Sequence, residues 1–286
     1  MIERVCTFGS HAGLVGIVTE PPESARRPET VLFANIGLNH RVGPNRLYVE
    51  LARKLAASGF RSLRFDLSGF GDSEPRRGPG TYLERAALDV REAMDFLEKS
   101  GSHRFVLVGL CSGVDSMHAA SLHDDRVAGA IFIEGYAYRN AGFRLRFWTL
   151  RNFQPARWRR FLRLKGARVM GQAPLPDASD MPEIFVREFP SRAQFAADLV
   201  GMVGRSLKML FVFTINSEGH YNYADQFHDM FGHREQIDVE FYTRADHVFS
   251  TEALREMLLS RLTRWMDDRF PSPGSAISGL SGTGIP

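Results

Sequence analysis

The segment that most restricts the fold is Phe105-Val-Leu-Val-Gly-Leu-Cys-Ser-Gly-Val114. An apolar run of strand character enters Gly109-Leu110-Cys111-Ser112-Gly113, and a helical pattern over Ser112–Leu122 starts with no spacer. Such a junction belongs to a parallel sheet covered by helices. The rest of the chain keeps the same alternation. Residues 1–8 and 14–19 form a hairpin pair, and strands are expected at Thr30–Asn35, Arg61–Leu67, Val127–Glu134, Met209–Ile215 and Ile237–Thr243. Helices are expected at Pro44–Ala57, Tyr82–Ser100, near Tyr223–Phe231 and at Thr251–Met266. The clearest is Tyr82–Ser100, whose Leu83, Ala86, Ala87, Val90, Ala93, Met94 and Leu97 follow the spacing of a one-faced helix.

At the junction, G-x-Cys-x-G is the pattern of a nucleophile presented on a strained strand-to-helix turn. Side chains two residues either side would collide with the neighbouring strand and helix, hence the glycines. A helix N-terminus behind the turn favours a thiolate and, later, an oxyanion. Ser112 is the rival nucleophile, but only Cys111 has glycine at both −2 and +2. The bland alternative is an inert buried cysteine.

His247, in Ala245-Asp246-His247-Val248-Phe249-Ser250, lies on a loop after the last expected strand. It is the expected general base, singled out from nine histidines by that position and by the chain order nucleophile, acid, histidine. For the acid, Glu218 in the first turn past strand Met209–Ile215 is the first choice. Asp225, at or in the next helix, is the alternative, and Glu134 after the earlier strand is a third option.

With these residues in place the chain resembles the α/β-hydrolase superfamily over about residues 1–136 and 206–268. Asp66-Leu67-Ser68-Gly69-Phe70-Gly71-Asp72-Ser73 is similar to that family's D-x-x-G-x-G-x-S loop after the fourth strand. Ile36-Gly37-Leu38 stands where many members carry His-Gly-x. The resemblance implies an oxyanion hole from the backbone N–H groups of Leu38 and Ser112, each worth ~2.7–4 kcal/mol in comparable sites. Ile36 replaces the usual histidine, which matters little because the backbone supplies the donor. The stretch His40-Arg41-Val42-Gly43-Pro44-Asn45-Arg46 also resembles the loop of bacterial exosortase-associated and natural-product-cluster hydrolases, some of which carry cysteine at the elbow. For His40 and Arg41, substrate anchoring and plain solvation are both open.

The expected architecture is therefore a mostly parallel α/β sheet flanked by helices, with residues 1–135 and 207–270 as the core. Residues 136–206 are a helical lid inserted after the sixth strand, and 271–286 are a Gly/Ser/Pro-rich disordered tail. The expected activity is hydrolysis of an ester or thioester through a covalent Cys111 acyl-enzyme, esterase- or thioesterase-like. An acyltransferase forming an amide or ester in a specialised pathway is the enzyme alternative. A non-catalytic acyl-partner-binding protein is the alternative from another class. None of these requires a cofactor or a metal.

Charge enters through the insertion. The chain holds 36 Lys+Arg against 33 Asp+Glu, for a net +3. Ten of those basic residues lie in 139–168, where there is no Asp or Glu, so the rest of the chain is net negative. Phe143, Phe147 and Leu150, then Trp158, Phe161 and Leu162 beyond Pro155, read as two short basic amphipathic helices. Such a face can simply cap the site. It can also meet an acyl carrier protein or a CoA-type substrate, or an anionic membrane surface. Nucleic acid is not expected, since no recognised module accompanies the run. No apolar run reaches the ~18 residues of a membrane span. The start of the chain lacks the apolar core of a signal peptide, and two cysteines make no disulfide framework, so a cytoplasmic location is expected.

Overall fold

The structure, a computed structural model, describes residues 1–10, 13–37, 39–152, 189–215 and 220–272. The opening hairpin forms as expected from β1 (Ile2–Phe8) and β2 (Leu14–Glu20), paired antiparallel. Then follow β3 (Glu29–Ala34), α1 (Leu47–Ala57), β4 (Arg61–Phe65), α2 (Tyr82–Glu98), β5 (Arg104–Leu110) and α3 (Gly113–His123). After β6 (Val127–Ile133) come α4 (Ala141–Asn152) and α5 (Arg192–Gly204). The chain closes with β7 (Lys208–Thr214), α6 (Gln226–Phe231), β8 (Ile237–Tyr242) and α7 (Glu252–Arg269). All eight strands share one sheet in the order β1-β2-β4-β3-β5-β6-β7-β8. Only the β2 pairings are antiparallel; β4 through β8 run parallel.

Strands β3, β5, β6 and β7 carry apolar runs through their middles because both faces are covered, the ordinary condition of a parallel sheet. In β3, Val31 and Phe33 point to the face roofed by α1 and α7, where Leu47, Leu51, Leu258 and Leu262 lie. Leu32 and Ala34 point to the other face, with Val90 and Met94 of α2 and Met117 of α3. Strands β5 and β7 divide their side chains in the same way. The expected start of the first helix at Pro44 is displaced. Asn45 (φ 49°) and Arg46 (φ 63°) take left-handed backbone within the short 3-10 turn Pro44–Arg46, so α1 begins at Leu47. Helix α2 starts on a capping box: Thr81 Oγ1 accepts from Glu84 N–H at 3.3 Å, and the Glu84 carboxylate accepts from Thr81 N–H at 2.7 Å.

The segment after β6 is tied to the body at both ends. The Tyr138 hydroxyl donates to Pro190 O at 2.7 Å, so entry and exit of the intervening chain are neighbours. Beyond the exit, α5 buries Phe195, Leu199 and Met202 in the same core as α2 and α3. The Phe195 ring lies 5.3 Å from Phe231 and 5.2 Å from Tyr136. The last stretch of the expected insertion thus packs as part of the body. Of the two basic helices expected there, the first corresponds to α4; Pro155, Trp158, Phe161 and Leu162 lie outside the described residues. On α4, Phe143 is buried while Phe147 is exposed, so the expected apolar stripe is only partly covered. Arg146 sets its guanidinium 3.9 Å from the centroid of the Tyr223 ring. No helix among the described residues is long and apolar enough to cross a membrane.

Candidate active site

Because β3, β5, β6 and β7 run parallel and adjacent, their C-terminal ends share one edge of the sheet, the edge where such sheets bind ligands. Cys111 follows β5 there. Its φ of 53° is left-handed backbone in a residue with a Cβ, the strain expected of a side chain thrust out of a tight turn. The flanking glycines are sterically demanded. A Cβ at Gly109 would lie 2.6 Å from Gly113 O and 2.7 Å from Val114 N, and one at Gly113 would lie 3.1 Å from Asn35 O. The turn is pinned by Cys111 N–H donating to Ile133 O at 2.8 Å, while Val114 N–H donates to Cys111 O at 3.0 Å. Helix α3 points its N-terminus at this turn, with Ser112 in the N-cap position.

His247 sits in the loop between β8 and α7. The Asp246 carboxylate shapes that loop, accepting from the backbone N–H groups of Val248 at 3.0 Å and Ser250 at 3.1 Å. The hydrogen bond from the Ser250 hydroxyl and these backbone donors hold Asp246 below the usual carboxylate range. The His247 imidazole makes two side-chain hydrogen bonds, one with Cys111 and one with Glu134. Nδ1 faces Glu134 Oε2 at 2.9 Å, which leaves the other ring nitrogen for the Cys111 sulfur. Its pKa is pushed up to about 10, first by the bond to Cys111 and then by Glu134, against the opposing effect of burial.

Glu134 is the carboxylate that meets the histidine. It lies just past β6, its side chain fully buried, in left-handed backbone with φ 53°. Its own N–H donates to Val212 O at 2.8 Å, and its Oε1 accepts from Thr214 N–H. With Oε1 bound to β7, Oε2 is aimed at the imidazole. Of the acids weighed from sequence, the first choice, Glu218, lies outside the described residues. Asp225 is elsewhere: 62% exposed, it forms a surface pair with Arg234 at 2.9 Å. The signal for Glu134 was present in the sequence as an acid at a strand's C-terminal end followed by Gly135.

The loop after β3 meets the turn that carries Cys111. Leu38 lies outside the described residues, but Gly37 beside it donates its N–H to Ser112 Oγ at 2.7 Å. Arg41 is neither solvated nor free for an anionic substrate. Its backbone N–H donates to Asp66 Oδ1 at 2.6 Å, and its guanidinium pairs with Asp66 and, at 2.6 Å, with Asp72. Among the described residues no group of three or more His, Cys, Asp or Glu is arranged to hold a metal ion.

An eight-stranded, mostly parallel sheet with a left-handed cysteine turn after its fifth strand and a histidine after its eighth defines an α/β hydrolase architecture. Comparison with protein families matches residues 37–181, just over half of the chain, to the alpha/beta hydrolase fold family. The chain belongs to that family and is an enzyme of the hydrolase type. Comparison with curated proteins finds no match. Similar solved structures include an esterase from Pyrococcus furiosus at 12% identity, with a TM-score of 0.61 over 94% of this chain and 92% of that one. The esterase domain of a Rhodothermus marinus protein is 17% identical, with a TM-score of 0.58 over 93% and 99%. A serine hydrolase without lid from Xanthomonas campestris is 15% identical, with a TM-score of 0.56 over 94% and 96%. At these identities the likeness establishes the fold.

Proposed function

We propose that the protein hydrolyses an ester or thioester through a covalent acyl-enzyme on Cys111, with His247 as general base and Glu134 as its acid partner. The observation that carries this reading is the hydrogen-bonded chain from Glu134 Oε2 through the His247 ring to Cys111. In the first step the proton of the Cys111–His247 hydrogen bond already rests on the imidazole, and the sulfur attacks the acyl carbon. The carbonyl oxygen becomes an oxyanion, met by the Ser112 N–H at the start of α3 and by the Leu38 N–H. As the intermediate collapses, the imidazolium returns its proton to the departing alcohol or thiol, leaving a Cys111 thioester. Water, deprotonated by His247, then attacks that thioester; the acid leaves and the proton stays on the imidazole beside the freed sulfur. Glu134 keeps Nδ1 protonated and stabilises the imidazolium formed in both halves. A sulfur nucleophile suits thioesters and activated esters better than bulk carboxylesters. Intact-mass analysis with p-nitrophenyl acetate tests the reading. An acetyl adduct on the wild type that is absent from Cys111→Ala is the expected result. An adduct that survives Cys111→Ala and disappears in Ser112→Ala would move the nucleophile to Ser112, and no adduct at all would sink the acyl-enzyme.

A further inference from the structure

The edge of the sheet opposite Cys111, where β3, β5, β6 and β7 begin, carries a cavity of about 350 Å³. It lies among the first residues of those strands, the turns leading into β6 and β7, and the end of α7. Val127, Ala128 and Phe270 supply its apolar part. Gly129 admits the Phe270 ring, since a Cβ there would stand 2.8 Å from Phe270 Cζ. The charged lining is Arg104, Arg126, Arg205, Lys208 and Arg269, against Glu29 and Asp125. Cys111 lies just past the far end of β5, about 23 Å from Arg104 by the rise of a strand, so the cavity is remote from the proposed nucleophile.

The five cations are not equivalent. Arg126 is saturated by Asp95 at 2.8 Å and by Glu98 and Asp124, each at 2.7 Å. Arg205 donates to Ser121 O and, at 3.2 Å, to Asp124 O, which braces the end of α3. The fold accounts for both. It does not use up the other three. Arg104 donates to Glu29, its register partner on β3, through Nε at 3.0 Å, and its terminal amino groups make no hydrogen bond among the described residues. Arg269 commits Nε and Nη2 to Asp238 and keeps Nη1. Lys208, half-buried at the start of β7, has no hydrogen bond or ion pair among the described residues. The acids do not answer these donors. Glu29 is held by Arg104, and the exposed Asp125 leans on Arg205 at 3.5 Å.

We propose that this cavity binds a phosphate-bearing anion, an organic phosphate whose apolar part rests on Phe270 and Val127. Unspent donors reach the cavity from three elements: a guanidinium at the start of β5, an ammonium at the start of β7 and a guanidinium at the end of α7. A tetrahedral group with several acceptor oxygens can meet all three at once, whereas a planar carboxylate is already matched by a single guanidinium. Partial burial of Lys208 also makes an anion beside it interact more strongly than one at open surface. The proposal does not depend on the acyl-enzyme reading.

Isothermal titration calorimetry of the full chain with sodium pyrophosphate, at fixed ionic strength, is the test. Saturable binding to the wild type is expected. Lys208→Met keeps the stem and removes the charge, and it should weaken binding about tenfold or more, the scale of one charge-assisted hydrogen bond. Arg104→Gln should weaken it comparably. Arg234→Gln alters an exposed pair outside the cavity and should leave binding within about twofold of wild type. Thermal unfolding midpoints establish that each variant is folded, and Lys208→Gln replaces Lys208→Met should that one not fold. No saturable binding to the wild type overturns the proposal, as does a folded Lys208→Met that binds as tightly as the wild type. Equal weakening in Arg234→Gln, or displacement of pyrophosphate by acetate at the same concentration, reduces the effect to general charge and overturns it too.

Discussion

His247 and His118 each face one carboxylate, Glu134 at 2.9 Å and Asp198 at 3.4 Å. They lie on two sides of the same body, His247 above the strand ends and His118 on α3 against α5. Their pKa values move in opposite directions, His247 up to about 10 and His118 down to about 4. The partner's charge cannot explain the difference, because both have one. What differs is the surroundings. His247 has a second hydrogen-bond partner in Cys111, and its side chain is 31% exposed. His118 is 6% exposed among the rings of Phe132, Tyr136 and Phe195, so burial outweighs Asp198. One histidine is built to gain a proton and the other to refuse it.

The largest effect is expected at Glu134. Glu134→Gln replaces a carboxylate with an amide that supports the wrong tautomer of His247, and kcat should fall roughly 10²- to 10⁴-fold. The same substitution removes one of the two bonds that raise His247. Wild-type activity should fail on the alkaline side as the imidazolium loses its proton near pH 10, and in Glu134→Gln that limb should move to lower pH. Folding stability carries the same sign. The raised His247 contributes fully below about 6.5 and loses that contribution as pH climbs through about 10. An alkaline limb identical in both proteins would break the comparison at its first term.

A middle-sized effect is expected at His118, in stability alone. Its folded value lies below its ordinary one, so above about pH 6.5 the proton makes no difference. As pH falls from about 6.5 to about 4 the unfolded chain takes up a proton that the folded chain resists, and the melting temperature drops. His118→Leu should flatten that acid slope while leaving turnover near the wild-type value. A slope as steep in the variant as in the wild type would remove His118 from the contrast. The smallest effect belongs to Asp225→Ala. An exposed pair such as Asp225–Arg234 is worth about 0–1 kcal/mol, so both melting temperature and kcat should stay close to wild type. A large loss of kcat there would reassign the His247 partner.

The elbow and the histidine were legible because their signals are local. Gly109 and Gly113 flank Cys111 wherever the fold places it, and the steric need is visible in two-residue spacing. His247 follows from being in the loop after the last strand. The acid was harder. Strands β6 and β7 are parallel neighbours that end on the same edge of the sheet, and chain order admits an acid after either. What selects Glu134 is that Thr214 N–H, from the neighbouring strand, takes Oε1 and turns Oε2 outward, a pairing between residues 80 apart. No period or composition announces it. Arg41 escaped for the same reason: its pairing with Asp66 spans two loops that meet only because β3 and β4 are neighbours. The alternation of apolar strands and one-faced helices, by contrast, yielded nearly every element within a few residues.

The Tyr138–Pro190 hydrogen bond has a practical corollary. A chain that leaves and re-enters the body at one stapled point behaves as a cassette: its two ends are already brought together by the host. The entropic charge for lengthening a flexible loop grows only slowly, by about 0.6 kcal/mol per doubling. The stretch beyond α4 can therefore be trimmed or enlarged at small entropic cost while the Tyr138–Pro190 contact keeps its ends joined, and that junction is the natural splice site for a laboratory graft.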